Sequence, residues 1–551
     1  MRIGRGDRLT GALGWLERLA SRPLGVLVLF GLALADYAVQ AVGWPLVGGR
    51  DLDEYLIGYV QLFDRHVLLP WSLLFRGPLS PLVTGVSLDA AGGRLAEALL
   101  AVLYAGSIVA WGIAARAFGT RVAVLVAVAL LLYPGYALMF HELASEPVVA
   151  ASFSLLALLL TRAAVRPSVA RFVLLGLGVA LVVLARPGNA VLLGLVLFPF
   201  GLTGRFRERL GWAAALGLAA ILPLLAWGVH NGLRFGDYTL ARGGNAVIPF
   251  YRAFVVDHIV SPDNGPASRK LGNAMQKRLL TRDPYRSYGV TLNELFERGS
   301  FRVHEDLYVF SDQVFGWNND YAVLRDAGIE GVRAHPLTYT ANVAGSIWHQ
   351  LSRSYFRNLG SSAPASSATP TVVVKGNRLP QPSEGQPIPS GQKAWISTPK
   401  QVVRQVWTSP TQWHFAFATR EDRARFGRIK VEVSRLFARL PHRDANARLA
   451  LRLNQASRWY PRPDLWIAVG LIGIALRRPR RSSVLIALGL AAFLVVLLNA
   501  LGQYADRHFI LPVAPAFVLF GLGALLGEPE SARVRGTTLM QRARARAARG
   551  P

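Results

Sequence analysis

Apolar stretches of roughly 20 residues recur along this chain, the length a helix needs to cross a hydrocarbon layer about 30 Å thick. Ten run approximately over 23–44, 92–115, 121–140, 147–164, 171–186, 188–203, 210–229, 463–477, 482–500 and 508–527, with those starting at 171, 188 and 463 the shortest. Backbone in lipid must satisfy its hydrogen bonds internally, so such repetition points to an all-α polytopic membrane protein of about ten transmembrane helices. The first segment is longer than the apolar core of a signal peptide and reads as a span. With 52% hydrophobic and 17% charged residues, the 551-residue chain does not read as a row of soluble domains.

A formal charge of +28 invites nucleic acid as partner, and the location of the charges argues against it. If the N-terminus is cytoplasmic, the cytoplasmic pieces hold 23 Arg, including Arg116, Arg121, Arg162, Arg205, Arg478 and Arg481, against five acids. Positive flanks resist translocation, so these arginines orient the chain in the plasma membrane with both termini cytoplasmic. The short opposite loops are acidic instead, with Asp51, Asp53, Glu54 and Asp64, then Glu142 and Glu146, then Asp506. The chain has no cysteine, so an extracytoplasmic part stands without disulfides.

The expected organisation is a cytoplasmic N-terminus (1–22), spans one to seven (23–229) with a first outer loop at 45–91, an extracytoplasmic α-rich region (230–462), spans eight to ten (463–527) and a basic cytoplasmic tail (528–551). The 230–462 region carries 32 Lys and Arg against 17 acids, and long translocated domains escape the charge rule. Within it, 360–391 is rich in Ser, Pro, Gly and Ala and reads as flexible or disordered. Residues 418–458 read as amphipathic helix broken near Pro441, lying on the leaflet or packing on protein. Trp44, Trp227, Trp459 and Tyr460 sit near outer boundaries, as interfacial anchors do.

Signatures of soluble enzymes are missing: there is no phosphate-binding GxxxxGK[ST], no HExxH and no GxSxG. What remains is ionisable residues gathered on one membrane face. Asp51, Asp53 and Glu54 fall within four residues, followed by apolar Leu56, Ile57, Tyr59, Val60 and Phe63 as a surface helix. The plain alternative is that these acids cap that helix. Asp36 and Glu97 lie inside spans and are expensive there unless they face protein, and His141 and His508 flank the acidic loops.

Asp53-Glu54-Tyr55, Arg76-Gly77-Pro78-Leu79-Ser80-Pro81, Tyr133-Pro134-Gly135, Ser145-Glu146-Pro147, Ala185-Arg186-Pro187 and Asp506-Arg507-His508-Phe509 occur in that order. In order and spacing they resemble the GT-C type of polyprenyl-phosphate-sugar-dependent membrane glycosyltransferases, the group that includes protein O-mannosyltransferases and lipid A aminoarabinose transferases. The resemblance covers residues 20–255 and 460–525 and is weaker between. It implies an inverting transfer of a sugar from a polyprenyl-phosphate donor to an extracytoplasmic glycan, lipid or protein in bacterial cell-envelope biogenesis.

Such a transfer needs a carboxylate to take the proton of the acceptor hydroxyl, and Asp53 is the candidate. Glu54 would orient the acceptor, with Glu146 a second acid. A divalent Mg or Mn ion, if present, would fall to Asp53, Glu54 and Glu146. The departing phosphate calls for fixed guanidinium groups, and Arg76, Arg186 and Arg507 stand in outer loops or at outer span ends. Asp51, Glu142 and His508 are further candidates. Two other classes fit a polytopic chain: a transporter or lipid flippase, which would show repeats and mid-membrane polar residues, and a non-catalytic envelope-assembly protein.

Overall fold

A computed structural model describes residues 14, 17–18, 22–49, 51–63, 74–282, 285–297, 301–354, 371–374, 377–380, 402–407, 413–502 and 509–529. Arg507, His508, Asp506, Asp64 and the tail beyond Pro529 lie outside them.

The chain is predominantly helical. The bundle is built from α1 (Pro23–Gly43), α2 (Leu52–Leu62), α3 (Leu79–Ala91), α4 (Gly93–Ala115), α5 (Thr120–Leu131), α6 (Pro134–Met139), α7 (Ser145–Val165), α8 (Val169–Ala185), a 3₁₀ segment (Pro187–Gly201) and α9 (Phe206–Phe235). After the intervening region it closes with three more helices, whose bounds are Pro463–Arg477, Ser482–Gly502 and Ala514–Leu526. Proline opens α1 and α6 in the first turn, where its missing N–H has no helical partner to lose. The expected third span is split there: Pro134 ends one helix and begins another.

Among the described residues, five helices are long and apolar enough to cross a membrane: Pro23–Gly43, Gly93–Phe118, Ser145–Val165, Phe206–Phe235 and Ser482–Gly502. Four of the other expected spans are the shorter apolar helices Thr120–Leu131, Val169–Ala185, Pro187–Gly201 and Ala514–Leu526. Their shared core includes Trp111, Phe153, Phe172, Leu488 and Phe517. α1 buries Ala33 and Tyr37 but leaves Leu24, Leu27, Leu32 and Val39 exposed, an apolar face suited to lipid.

The two ends of the bundle differ chemically. At one, Glu528 donates its N–H to the Phe118 carbonyl (3.4 Å), Arg480 to Glu528 (2.8 Å) and the Arg481 side chain to Ala117 (2.5 Å). This basic end gathers connections that the sequence assigns to one face. At the other end β1 (Val47–Gly48) pairs in parallel with β2 (Glu142–Leu143), and Ser80 Oγ donates to the Ala185 carbonyl at 2.9 Å. Here the acidic loops meet.

The region from 230 has its own core of Phe250, Phe254, Leu271, Met275, Phe296, Leu307 and Leu324. A π-helix spans Val247–Val256, followed by α10 (Pro266–Arg278), α11 (Leu292–Glu297), α12 (Phe301–Phe315), α13 (Ala322–Ala334) and α14 (Pro336–Leu351). Arg252 ties it to the bundle, donating to the Ala500 carbonyl (2.5 Å) and Ser346 (3.0 Å) while paired with Asp257. The expected amphipathic stretch is α15 (Arg420–Phe437) and α16 (Ala447–Trp459), capped by Thr419 and Asn446. Its apolar face meets protein: Ile429, Val433 and Leu436 pack with Leu52, Leu56 and Val60 of α2.

The α-rich region also holds two hairpins: β3 (Thr371–Val374) pairs with β4 (Asn377–Pro380), and β5 (Val403–Trp407) with β6 (Trp413–Phe417). The first hairpin falls inside the stretch read as flexible, the rest of which lies outside the described residues. Trp44 is not an interfacial anchor: it is 1% exposed, against Leu138 and Ala450. Tyr460 stacks on Tyr133 at 3.8 Å, whereas Trp459 stays exposed as expected.

Candidate active site

The β1–β2 ladder brings the end of α1 against the start of α7, two segments nearly a hundred residues apart. Asp51 follows β1 and occupies the N-cap position of α2, but its side chain makes no capping hydrogen bond. It stands in the left-handed region (φ 61°), sparsely populated by residues other than glycine. Its carboxylate lies 3.0 Å from Arg76 Nη2 instead. For Asp51 the capping alternative therefore fails.

Arg76 serves two acids. Its Nε (2.9 Å) and Nη2 (2.5 Å) both donate to Glu54 Oε2, and its guanidinium lies 5.2 Å from the centre of the Tyr55 ring. Burial pushes the Glu54 carboxyl above its usual range; Arg76 opposes this, and Asp51 and Asp53 reinforce it. Burial alone would lower Arg76, but Glu54 and Asp51 outweigh it and hold the guanidinium well above its usual value. Asp53, the candidate base, is half-buried on the first turn of α2 beside them.

A second pair faces the first. Arg186, ending α8, lies 3.7 Å from Glu146 in the first turn of α7 and 4.4 Å from the centre of the Phe509 ring. Gly77 connects the two: a Cβ there would collide with the Leu184 carbonyl and lie 3.2 Å from Pro187 Cδ. Glycine lets the Arg76 loop press against the Arg186 turn. Tyr55 joins α2 to the second loop through the Ser145 hydroxyl, and burial pushes its phenol up to about 12, with Arg76 opposing and Glu146 and Asp51 adding.

The structure thus brings Asp51, Asp53, Glu54, Arg76, Glu146 and Arg186 to one end of the bundle. Glu142 is on β2, opposite Val47 in the ladder. Arg507 and His508 are outside the described residues, although the adjacent Phe509 packs on Arg186. Residue-type reasoning assigned no role to Tyr55, Ser145 or Phe509; their places beside the acids and Arg507 in the motifs were the available signal. Among the described residues no three His, Asp or Glu converge as a divalent ion requires. Glu54 and Glu146 are each engaged by a guanidinium group in this arrangement.

Three polar groups fall outside the site. Asp36 accepts from Tyr104 (2.6 Å) and Gln40 (2.9 Å) inside the bundle, and Glu97 pairs with Arg443. His141 is fully buried and stacked on Tyr37 at 4.2 Å, and neither ring nitrogen has a hydrogen-bond partner among the described residues. Burial pushes its pKa down to about 3.

Fold and site together define a multi-pass helical membrane protein with two arginine–carboxylate pairs at one end of its bundle. No protein-family model and no curated protein matches the chain. Two solved structures are similar along most of it: ArnT from Cupriavidus metallidurans bound to undecaprenyl phosphate (TM-score 0.33, 14% identity, 92% of this chain and 78% of that one) and the same protein in the apo state (TM-score 0.30, 13%, 94% and 78%). These similarities are too loose to transfer chemistry, which rests on the residues themselves.

Proposed function

We propose that this chain is an inverting integral-membrane glycosyltransferase that moves a sugar from a polyprenyl-phosphate donor to an extracytoplasmic glycan, lipid or protein. The observation that carries it is the arrangement of fixed guanidinium groups at a single bundle end, Arg76 beside the carboxylates at the start of α2 and Arg186 beside Glu146 of α7. In the reaction, the Asp53 carboxylate takes the proton of the acceptor hydroxyl as its oxygen attacks C1 of the sugar from the face opposite the phosphate. The C1–O bond to phosphate breaks and its electron pair stays on the phosphate oxygen, giving polyprenyl phosphate and an inverted glycoside. Guanidinium groups already held in place stabilise that charge without reorganising at the moment of transfer.

Arg76 and Arg186 are about one-quarter exposed and so accessible to a phosphate; binding it loosens their hold on Glu54 and Glu146. Freed from Arg76, Glu54 can accept a second hydroxyl of the acceptor. A transporter would use polar groups at mid-depth, and Asp36, the acid inside α1, is taken up by Tyr104 and Gln40.

The test is purified protein with a panel of radiolabelled polyprenyl-phosphate sugars, comparing wild type with Asp53→Asn. One donor is expected to lose its sugar, with the variant slower by about 10²-fold or more, as for loss of a general base. Full activity in Asp53→Asn would reject Asp53 as base. Release from no donor would reject the transferase and leave the envelope-assembly reading.

A further inference from the structure

The turn between α3 and α4 is gripped by a segment that lies more than three hundred residues further along the chain. Arg435, near the end of α15, reaches Asp89 at 3.2 Å. Arg439 donates to the Leu88 carbonyl (3.0 Å) and the Asp89 carbonyl, with its Nη1 3.7 Å from the Asp89 carboxylate. Arg443 pairs with Glu97 at 2.9 Å. Three arginines spaced four residues apart thus meet two acids on either side of Gly92 and Gly93.

The backbone of the turn is shaped for the contact. Gly92 is left-handed (φ 70°), Gly93 donates its N–H to the Arg439 carbonyl at 2.9 Å, and a Cβ on Gly93 would collide with Pro441. The same Asp89 carboxylate accepts the Tyr59 hydroxyl at 2.8 Å. Tyr59 is one turn beyond Tyr55 on α2, the helix whose first turn carries Asp53 and Glu54. A single carboxylate therefore joins the arm, the turn and the helix of the candidate site.

We infer that Asp89 is a positioning residue, through which the docked 435–443 arm holds α2 in register against Arg76. The effect on turnover rests on the transferase reading; the mechanical link does not. Exposed ion pairs such as Arg435–Asp89 add little to folding stability. A displacement of about 1 Å at a reacting group can cost on the order of 10²-fold in rate. Turnover should therefore respond far more than stability does.

The chain has no cysteine, so Ile57→Cys on α2, in the cluster shared with α15, provides a unique thiol. Maleimide alkylation of the full chain in detergent reads how firmly α2 is covered. Adding Asp89→Asn, or Arg435→Ala with Arg439→Ala, is expected to speed alkylation at least tenfold, and unchanged rates would overturn the link. In the donor assay, Asp89→Asn and Tyr59→Phe should each lower kcat at least tenfold with the donor KM within twofold, while Arg435→Lys keeps activity. Unchanged kcat in both variants would overturn the positioning role. If wild type releases sugar from no donor, the transferase reading falls and the alkylation rates still decide whether the arm holds α2. Should Asp89→Asn fail to fold, the exposed Arg435→Ala and Arg439→Ala pair answers the same question.

Discussion

Arg76 is shared between two carboxylates of one helix start, with Glu54 Oε2 taking both its Nε (2.9 Å) and Nη2 (2.5 Å) while Asp51 lies 3.0 Å from Nη2. An arginine so held is a fixed positive charge at the helix start. Lysine has the charge without the fork. Arg76→Lys is therefore expected to lose about 10²-fold in kcat, the scale of removing one oriented donor, with a small change in melting temperature. Steady-state kinetics beside thermal unfolding in detergent separate the two effects.

Glu54 introduces a pH dependence. Its folded carboxyl holds its proton more tightly than the unfolded one, chiefly through burial. The stability it contributes is therefore fully present below the ordinary value of 4.5 and is lost as pH rises through the elevated folded value. Glu54→Gln, which cannot titrate, should flatten that part of the melting-temperature profile. Identical profiles from pH 4 upward in the two proteins would be the contrary result.

Arg186 packs on Phe509. The ring centre lies 4.4 Å from the guanidinium, and a cation over an aromatic face is worth about 0.5–1 kcal/mol at an accessible site. Phe509→Ala should lower kcat several-fold, and Arg186→Ala by about 10²-fold or more. If the phenylalanine acts through the arginine, the double variant will be no slower than Arg186→Ala, as a kinetic double-mutant cycle would show.

Gly77→Ala should separate the two pairs. The added methyl group meets the Leu184 carbonyl, which belongs to helix backbone and cannot swing aside. The Arg76 loop must retreat, so donor binding and turnover fall together while the helical circular dichroism spectrum is preserved.

Away from the site, Arg242 is 1% exposed, 2.7 Å from Asp237 and 2.7 Å from Asp312, and its guanidinium lies over Trp317. Removing it leaves two carboxylates buried without their counter-charge. Arg242→Ala is expected to cost about 3–5 kcal/mol, enough to deplete folded protein on size-exclusion chromatography.

How much of this was legible beforehand differs between levels. The helices follow from runs of apolar residues, a local signal, whereas the split of the expected 121–140 span at Pro134 was not read from it. The break between α15 and α16 was readable from Pro441. The cluster of Asp51, Asp53 and Glu54 was visible as adjacent carboxylates. Pairing was not: nothing in the residue pattern shows that Asp51 forgoes its capping bond for Arg76, or that Asp89 is shared by Tyr59 and Arg435. The burial of His141 against Tyr37 also escaped, because the two are brought together from segments a hundred residues apart.

By itself the sequence determined a polytopic helical chain, the break near Pro441, and which short connections carry acid and which carry arginine. Those properties are set by near neighbours, through hydropathy, backbone restrictions and charge along one segment. Only the tertiary structure decided which arginine answers which carboxylate, that 420–437 covers α2 rather than standing apart, and that Gly77 and Gly93 admit the close contacts. Such pairings depend on side chains brought together from distant segments by packing, and a buried carboxyl acquires its properties only when those partners arrive.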